Sequence, residues 1–261
     1  MQKRIISVRD TTASKALCAT LGAMICIALS FLATSAAAAE ELIDSKAVTL
    51  LQRMSDTLNS APTLRFTAHT LSDDFEPSGV KIKRGMMQEI TLERPNRLHV
   101  HTRLDDGSSR VAWYDGKILT VALPAEQVYA QVDAPATIDE LLDLLQERYD
   151  FYLPLADLLY TDLYAKIEPH LLSGIHYGER SVGNLALQHI SFEATPGDLQ
   201  LWVDTSEATL PRLMVVNFTA LEGEPEWLIR LDHWELGEYV DPSVFEFHPG
   251  ASWRRVELKE R

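Results

Sequence analysis

The chain has 261 residues, of which 46% are hydrophobic, and it carries 38 acidic against 24 basic side chains, a formal net charge of −14. This length and composition fit one globular domain and exclude collagen-like, coiled-coil and disordered chains. The acidic balance also argues against nucleic acid as a partner, because proteins that bind phosphate backbones need a basic face.

The first 39 residues have the pattern of an export signal. Four basic residues lie in positions 1–15, an apolar stretch follows over positions 16–32, and small residues fill positions 33–39. This order predicts a secretory signal that is cleaved near Ala38 or Ala39. The alternative is an uncleaved membrane anchor, although the apolar stretch is shorter than the roughly 20 residues of a spanning helix. With cleavage, residues 40–261 are the mature chain and have no stable membrane span.

Both cysteines, Cys18 and Cys26, lie within this signal, so the mature chain has no disulfide. Its stability must come from a hydrophobic core, and a chain of this length buries roughly 70% of the surface that it exposes when unfolded. No linker rich in proline, glycine or serine divides residues 40–261, which predicts a single domain.

The mature chain begins with an amphipathic helix and continues with short strands. Apolar residues recur every three to five positions over residues 41–58, which predicts the helix. From residue 64 the apolar period is two, which is typical of half-buried strands separated by hairpin turns. After the first of these, strands are predicted near residues 80–92, 97–104, 108–114, 117–123 and 127–132.

Helices return in the middle of the chain. Thr137 and Glu140 have the spacing of a capping box and precede an apolar stripe, which predicts a second helix. Pro154 suits the first position of a third helix, which extends to Tyr160. Strands then resume, over residues 171–182, 185–194, 198–204, 211–221 and 227–236.

The late strands are apolar on both faces. On the last strand, one face carries Trp227, Ile229 and Leu231, and the other carries Leu228, Trp234 and Leu236. A sheet that curls fills one face with its own side chains, and the helices of residues 138–160 are available to cover its mouth. We therefore predict an α+β fold, a curved antiparallel sheet of about ten strands in the form of an open half-barrel, with an N-terminal helix and a helical lid.

Five short motifs are spread over residues 93–212. They are Glu93-Arg94-Pro95-Asn96-Arg97-Leu98, Trp113-Tyr114-Asp115-Gly116-Lys117, Leu153-Pro154-Leu155-Ala156-Asp157-Leu158-Leu159, Leu201-Trp202-Val203-Asp204 and Leu210-Pro211-Arg212. As an ordered set they resemble a bacterial family of predicted periplasmic proteins, domain-of-unknown-function family 2092. The resemblance implies that the mature chain is periplasmic.

This family resembles, more remotely, the LolA/LolB-like superfamily of open half-barrels. Members of that superfamily enclose an apolar cavity under a helical lid, and they carry lipoprotein acyl chains across the periplasm or sense lipids of the cell envelope. The resemblance implies a LolA-like domain over residues 40–261 and implies no catalytic residues. Fold analogy alone is a weak basis for function, which depends on the residues of a site.

Two histidines are the strongest candidates for a metal site. His99 and His101 lie two apart on a strand and point to the same side. Arg97 and Arg103 flank them on that face, and no carboxylate lies nearby in the sequence, which favours a solvated polar face. The mature chain has no cysteine, no nucleophile-elbow or zinc-protease motif and no phosphate-binding loop, so we predict neither an enzyme nor a bound cofactor.

Acidic residues dominate the predicted lid. Asp139, Asp143 and Glu147 lie four residues apart on one helix face, where each pair repels by about 0.2–0.5 kcal/mol. One interpretation is a binding face for a basic periplasmic protein. The other is a solvated face whose first acid interacts favourably with the helix dipole.

The apolar side of the lid also has two interpretations. It is either sealed core or one wall of a gap that holds a lipid or the acyl chain of an acylated protein. In the second case the predicted ligand-binding residues are Phe66, Val100, Ile138, Leu141, Leu142, Leu145, Leu155, Leu158 and Trp202. The sequence thus predicts a non-enzymatic periplasmic binding protein, a carrier or envelope sensor. The alternative is a periplasmic interaction or regulatory domain with a filled core.

Overall fold

A computed structural model of the protein describes residues 42–149 and 154–258. The predicted signal over residues 1–39, with its cysteines and cleavage site, lies outside these ranges. The described residues all belong to one compact unit, Leu42–Arg261. Within this unit, none of the described helices has the length and hydropathy needed to cross a bilayer.

The first helix, α1, spans Ser45–Ser60. The Asp44 side chain caps it by accepting a hydrogen bond of 2.8 Å from the backbone N–H of Lys46, which satisfies one of the unpaired donors of the first turn. One face of the helix is buried, because apolar residues recur at helical spacing: Ala47, Leu50, Leu51, Met54 and Leu58.

Twelve strands follow. They are β1 (Thr63–Phe75), β2 (Lys81–Glu93), β3 (Arg97–Leu104), β4 (Ser109–Tyr114), β5 (Ile118–Leu123), β6 (Val128–Asp133), β7 (Leu171–Val182), β8 (Leu185–Ala194), β9 (Asp198–Asp204), β10 (Leu210–Asn217), β11 (Glu226–Leu236) and β12 (Arg254–Arg255). They form one sheet in the order β12-β6-β5-β4-β3-β2-β1-β11-β10-β9-β8-β7. All neighbours are antiparallel except β12, which pairs with β6 in parallel.

Between β6 and β7 the chain forms the helical lid. It consists of α2 (Ile138–Tyr149), a 3₁₀ turn (Pro154–Leu159), the short helix α3 (Leu163–Ile167) and a second 3₁₀ turn (Glu168–His170). The predicted capping box starts α2, since the hydroxyl of Thr137 accepts a hydrogen bond of 3.2 Å from the backbone N–H of Glu140. The α+β class and the curved antiparallel sheet are confirmed, whereas the predicted number of about ten strands is too low.

The inner face of the sheet and the helices share one hydrophobic core. Helix α1 lies against this face, and its Leu51, Met54 and Leu58 belong to the same buried cluster as Phe66 of β1 and Ile229 of β11. Burial of these side chains is the main source of stability, at about 25 cal/mol per Å² of apolar surface.

A bulge in β11 changes which side chains face this core. His233 has a positive φ of 56°, and the pairing of β1 with β11 shifts its register between Arg65 and Thr67. The extra residue turns Trp234 to the inner face, where its ring stacks on that of Phe66 with centroids 4.3 Å apart. The prediction that Trp234 and Trp227 lie on different faces of the sheet is therefore wrong, because both pack against the core.

The segment after β11 covers part of the outer face. The ring of Phe247 lies between those of Trp113 and Tyr129, with centroids 4.9 Å from each. Further along, β12 adds to the edge strand β6. At the opposite edge, Ile43 forms a parallel bridge with Gly174 of β7.

Replacement of Leu51 by alanine tests the contribution of α1. Leu51 is fully buried, so Leu51→Ala should lower the free energy of unfolding by about 2–5 kcal/mol through lost burial and the cavity that forms. Urea denaturation followed by circular dichroism measures this value. Leu42→Ala is the control, because Leu42 is 76% exposed and its loss should change stability by less than about 0.5 kcal/mol.

Candidate functional site

A cavity of about 330 Å³ lies at one end of the inner face, between α1, the lid and strands β8–β10. Its apolar wall consists of Met54, Leu158, Leu163, Ile167, Ala194, Leu199, Leu201, Met214 and Val216. Sites that hold small molecules are typically concave, mostly apolar and about 300–1,000 Å³ in volume. This cavity is at the small end of that range.

Each part of the wall is held by a different element. Leu201 of β9 and Met214 and Val216 of β10 alternate with outward-facing residues, so the sheet directs them inward. Leu163 starts α3, which is capped by the Asp162 carboxylate through a hydrogen bond of 2.9 Å from the Ala165 N–H. The lid and the sheet therefore line the cavity from opposite sides.

Most polar side chains of the cavity come from the lid. Gln146, Asp157, Lys166 and His170 belong to the lid, and Thr195 belongs to the turn between β8 and β9. In proteins that bind small molecules, a few polar groups in an apolar pocket fix the orientation of the ligand. The protonation and bonding of these groups therefore matter alongside the apolar wall that they adjoin.

Asp157 lies in the first 3₁₀ turn and is half-buried. Burial raises the pKa of its carboxyl from the ordinary value of 3.8 to about 6, and the nearby Lys166 opposes this shift. Among the described residues, no side-chain hydrogen bond reaches this carboxylate. Within the described part of the chain this acid therefore has no bonded partner, and it lines a cavity whose wall is mostly apolar.

Lys166, by contrast, is already paired. Its Nζ donates to Oδ1 of Asp143 at 2.7 Å and lies 4.4 Å from the centroid of the Tyr160 ring. The Tyr160 hydroxyl donates to the same Oδ1 at 2.8 Å. The hydrogen bond from Lys166 is the largest cause that lowers the pKa of Asp143, and burial followed by this carboxylate raises the pKa of Tyr160.

Polar contacts fasten the two halves of the lid to each other and to the sheet. Oδ1 of Asp139 accepts hydrogen bonds from the backbone N–H of Thr161 at 2.9 Å and from its hydroxyl at 3.1 Å. Arg94, which follows β2, donates to the carbonyls of Leu159 at 3.2 Å and Tyr160 at 3.3 Å. These bonds hold the lid over the inner face.

The predicted acidic face is thus used largely within the lid. Asp139 binds Thr161, and Asp143 binds Lys166 and Tyr160. Of the three predicted partner-binding residues, only Glu147 is exposed. The sequence did not show this, because the partners of Asp139 and Asp143 lie about 20 residues further along the chain.

The predicted ligand-binding residues occupy three different places. Leu158 lines the cavity. Phe66, Ile138, Leu141, Leu142 and Leu155 are buried in the continuous core, and Val100 and Leu145 are half-buried against it. None of these seven lines the cavity.

Trp202 lies on the other face of the sheet. Leu201 and Val203, its neighbours on β9, belong to the inner core, so Trp202 points outward. There its ring stacks on that of His189 with centroids 4.1 Å apart, and His189 stacks on Tyr177 at 4.6 Å. The prediction that Trp202 lines the interior is wrong in this respect.

The sequence analysis missed most of the cavity wall. Met54 lies within the predicted helix over residues 41–58, and Leu199, Met214 and Val216 lie within the predicted strands 198–204 and 211–221, without a predicted role in binding. Their alternation places them on the inner face, but alternation does not distinguish a filled interior from an open one.

The histidine pair on β3 contacts groups that the sequence did not place there. Nδ1 of His101 lies 3.3 Å from Oε2 of Glu89, because β2 and β3 align these residues across the sheet. Arg103 binds the same oxygen at 3.0 Å, and the His99 ring lies 5.6 Å from that of Trp113, tilted by 46°. Burial lowers the pKa of His99. Within residues 42–149 and 154–258, no group of three metal-ligating side chains is brought together.

Comparisons with known proteins give a family and several similar folds. A family model described as a predicted periplasmic protein, DUF2092, matches residues 47–259. The lipoprotein LppX of Mycobacterium tuberculosis is 10% identical, with 76% of this chain and 98% of that chain covered and a TM-score of 0.47. LprF of Mycobacterium bovis is 13% identical, with 80% and 99% covered and a TM-score of 0.46. A LolA superfamily protein of Nitrosomonas europaea is 10% identical, with 77% and 97% covered and a TM-score of 0.39. A search of curated proteins gives no match.

The raised pKa of Asp157 predicts a pH-dependent cost. Between pH 4 and 6 the folded state holds this proton more tightly than the unfolded state, so stability falls as pH rises through this window and is lowest above it. Asp157→Asn should therefore raise the free energy of unfolding at pH 7.5 by about 1–3 kcal/mol. Urea denaturation at pH 7.5 and pH 4 measures the gain, which should largely disappear at pH 4.

Asp56→Asn is the charge-matched control for this measurement. Asp56 is exposed on α1 and lies outside the cavity lining, so its loss should change stability by less than about 0.5 kcal/mol. An equal gain in both variants would mean that the effect comes from total charge, and not from burial of Asp157.

Proposed function

The chain belongs to the DUF2092 family of predicted periplasmic proteins, and we propose that in the periplasm it binds an apolar ligand without altering it. The cavity of about 330 Å³ between lid and sheet supports this proposal most directly. Much of its wall comes from buried side chains of α1, the lid, β9 and β10. An apolar wall of this kind favours binding over chemistry.

The free energy of binding would come mainly from burial. Each methylene group that leaves water contributes about 0.8 kcal/mol, so even a short alkyl chain would gain several kcal/mol before the loss of its own freedom is subtracted. The polar end of such a ligand would lie at the lid, where the hydrophilic side chains of the cavity are found. This orientation matches the distribution of polar and apolar groups.

Entry of a ligand would require movement of the lid. Arg94 binds the lid through hydrogen bonds, and Asp139 and Asp143 join the two halves of the lid through hydrogen bonds and an ion pair. Water can replace such contacts at small cost. The apolar side of α2, with Ile138 and Leu141, is fixed in the core. Leu155, Leu158 and Leu163 of the lid are buried in the same core, so opening of the lid would also expose these side chains.

Filling the cavity tests the proposal. Val216 faces the cavity, so Val216→Trp should occupy part of it and weaken binding of the fluorescent probe N-phenyl-1-naphthylamine at least tenfold. Val215→Trp is the matched control, because Val215 is the next residue on β10, points to the outer face and should leave probe binding unchanged. Probe titration followed by fluorescence gives both dissociation constants.

Urea denaturation of both variants checks that each is folded under the conditions of the titration. Absence of probe binding by the unmodified protein would contradict the proposal. Equal binding by the two tryptophan variants would also contradict it, since binding would then lie elsewhere.

A further inference from the structure

The lid side of the cavity carries one carboxylate and two basic side chains. Asp157 and Lys166 are half-buried, and His170 is exposed at the rim. The described strands β8–β10 contribute no ionisable group to the lining, and neither does α1. The polar preference of the cavity is therefore determined by these three lid residues, with Gln146 as a neutral neighbour.

Lys166 is poorly placed to bind an anionic group. Its ammonium contacts the carboxylate of Asp143 at 2.7 Å, and the Tyr160 ring lies beneath it at 4.4 Å. An acidic ligand at this ammonium would lie near the carboxylates of both Asp143 and Asp157. This position is unfavourable, because like charges repel in a partly dry site.

Of the three ionisable lid residues, Asp157 is the one that would gain a hydrogen-bond partner from a ligand. Its carboxylate is half-buried and has no hydrogen-bond donor among the described residues, and partial loss of solvation without a partner costs free energy. Burial raises its pKa to about 6, so near neutral pH it is mostly ionised in a poorly solvated position. A donor supplied by a ligand would restore the bond that solvent gave in the unfolded chain.

From this geometry we infer that the cavity selects ligands whose polar end donates a hydrogen bond or carries a positive charge, and that Asp157 binds that end. Long-chain amines and alcohols fit this description, and fatty acids do not. The inference rests on the proposed function, since it assumes that the apolar part of the ligand occupies the cavity. Asp157 would be a specificity-determining residue, while the apolar wall would supply most of the affinity.

Three competitors with the same chain test the selection. Dodecylamine, dodecanol and dodecanoate each have twelve carbons and differ in the polar end. Each is titrated for displacement of N-phenyl-1-naphthylamine from the unmodified protein, below the concentration at which it forms micelles or separates from water. At pH 7.5 we expect dodecylamine to bind at least tenfold more tightly than dodecanoate, with dodecanol between them, because a charge-assisted hydrogen bond is the strongest of the three contacts.

The preference for the amine should depend on Asp157 and on pH. Asp157→Asn should reduce the ratio of amine to alcohol affinity to about one, whereas the charge-matched Asp56→Asn should leave it unchanged. In the unmodified protein the same ratio should fall as pH decreases from 7.5 to 5, because protonation of Asp157 removes the charge that attracts the ammonium group. Use of the alcohol as reference removes any general effect of pH on the fold.

The outcomes separate this inference from the proposed function. Displacement of the probe by all three compounds with equal affinity would overturn the inference and leave apolar binding intact. Absence of probe binding and of displacement would overturn both. Tighter binding of dodecanoate that is lost in Lys166→Gln would also overturn the inference, since it would identify Lys166 as the residue that binds a carboxylate.

Discussion

Packing of α1 against the inner face of the sheet is the contact on which the rest of this structure depends. The apolar stripe of Leu51, Met54 and Leu58 fills the middle of the curve, so the sheet does not enclose a large empty interior. The cavity lies beyond Met54, where the wall is shared with the lid and with strands β8–β10. A sheet of this curvature without the helix would expose its inner face, and the helix alone would be marginal in water.

Two acidic side chains of the lid bind other parts of the lid and not a separate partner. Asp139 and Asp143 satisfy donors of the segment around residues 160–166, which joins the two halves of the lid. Because Asp143 pairs with Lys166, the nearby Asp157 has no bonded cation among the residues that the structure describes. One partly exposed ion pair thus joins the two halves of the lid and occupies the lysine beside Asp157.

Much of the fold follows from local patterns. The predicted ranges 171–182, 185–194 and 198–204 coincide with β7, β8 and β9, since period-two alternation between turn residues is a strong local signal. The cavity, and the face of the sheet on which Trp202 lies, were not predictable in the same way. They depend on how deeply the side chains are buried and on β-bulges. A single left-handed residue, His233, moved Trp234 to the core, and β12 is too short to show any period.

The two edges of the sheet are protected in different ways. At one edge β12 pairs with β6, and the Phe247 ring packs between those of Trp113 and Tyr129 on the outer face of the sheet. At the other, β7 is paired at Gly174, interrupted by two register shifts and charged near its end. An open sheet of twelve strands would otherwise present two long templates for pairing with other chains. Edge-to-edge polymerisation, a hazard in a compartment crowded with newly exported unfolded chains, is thereby discouraged.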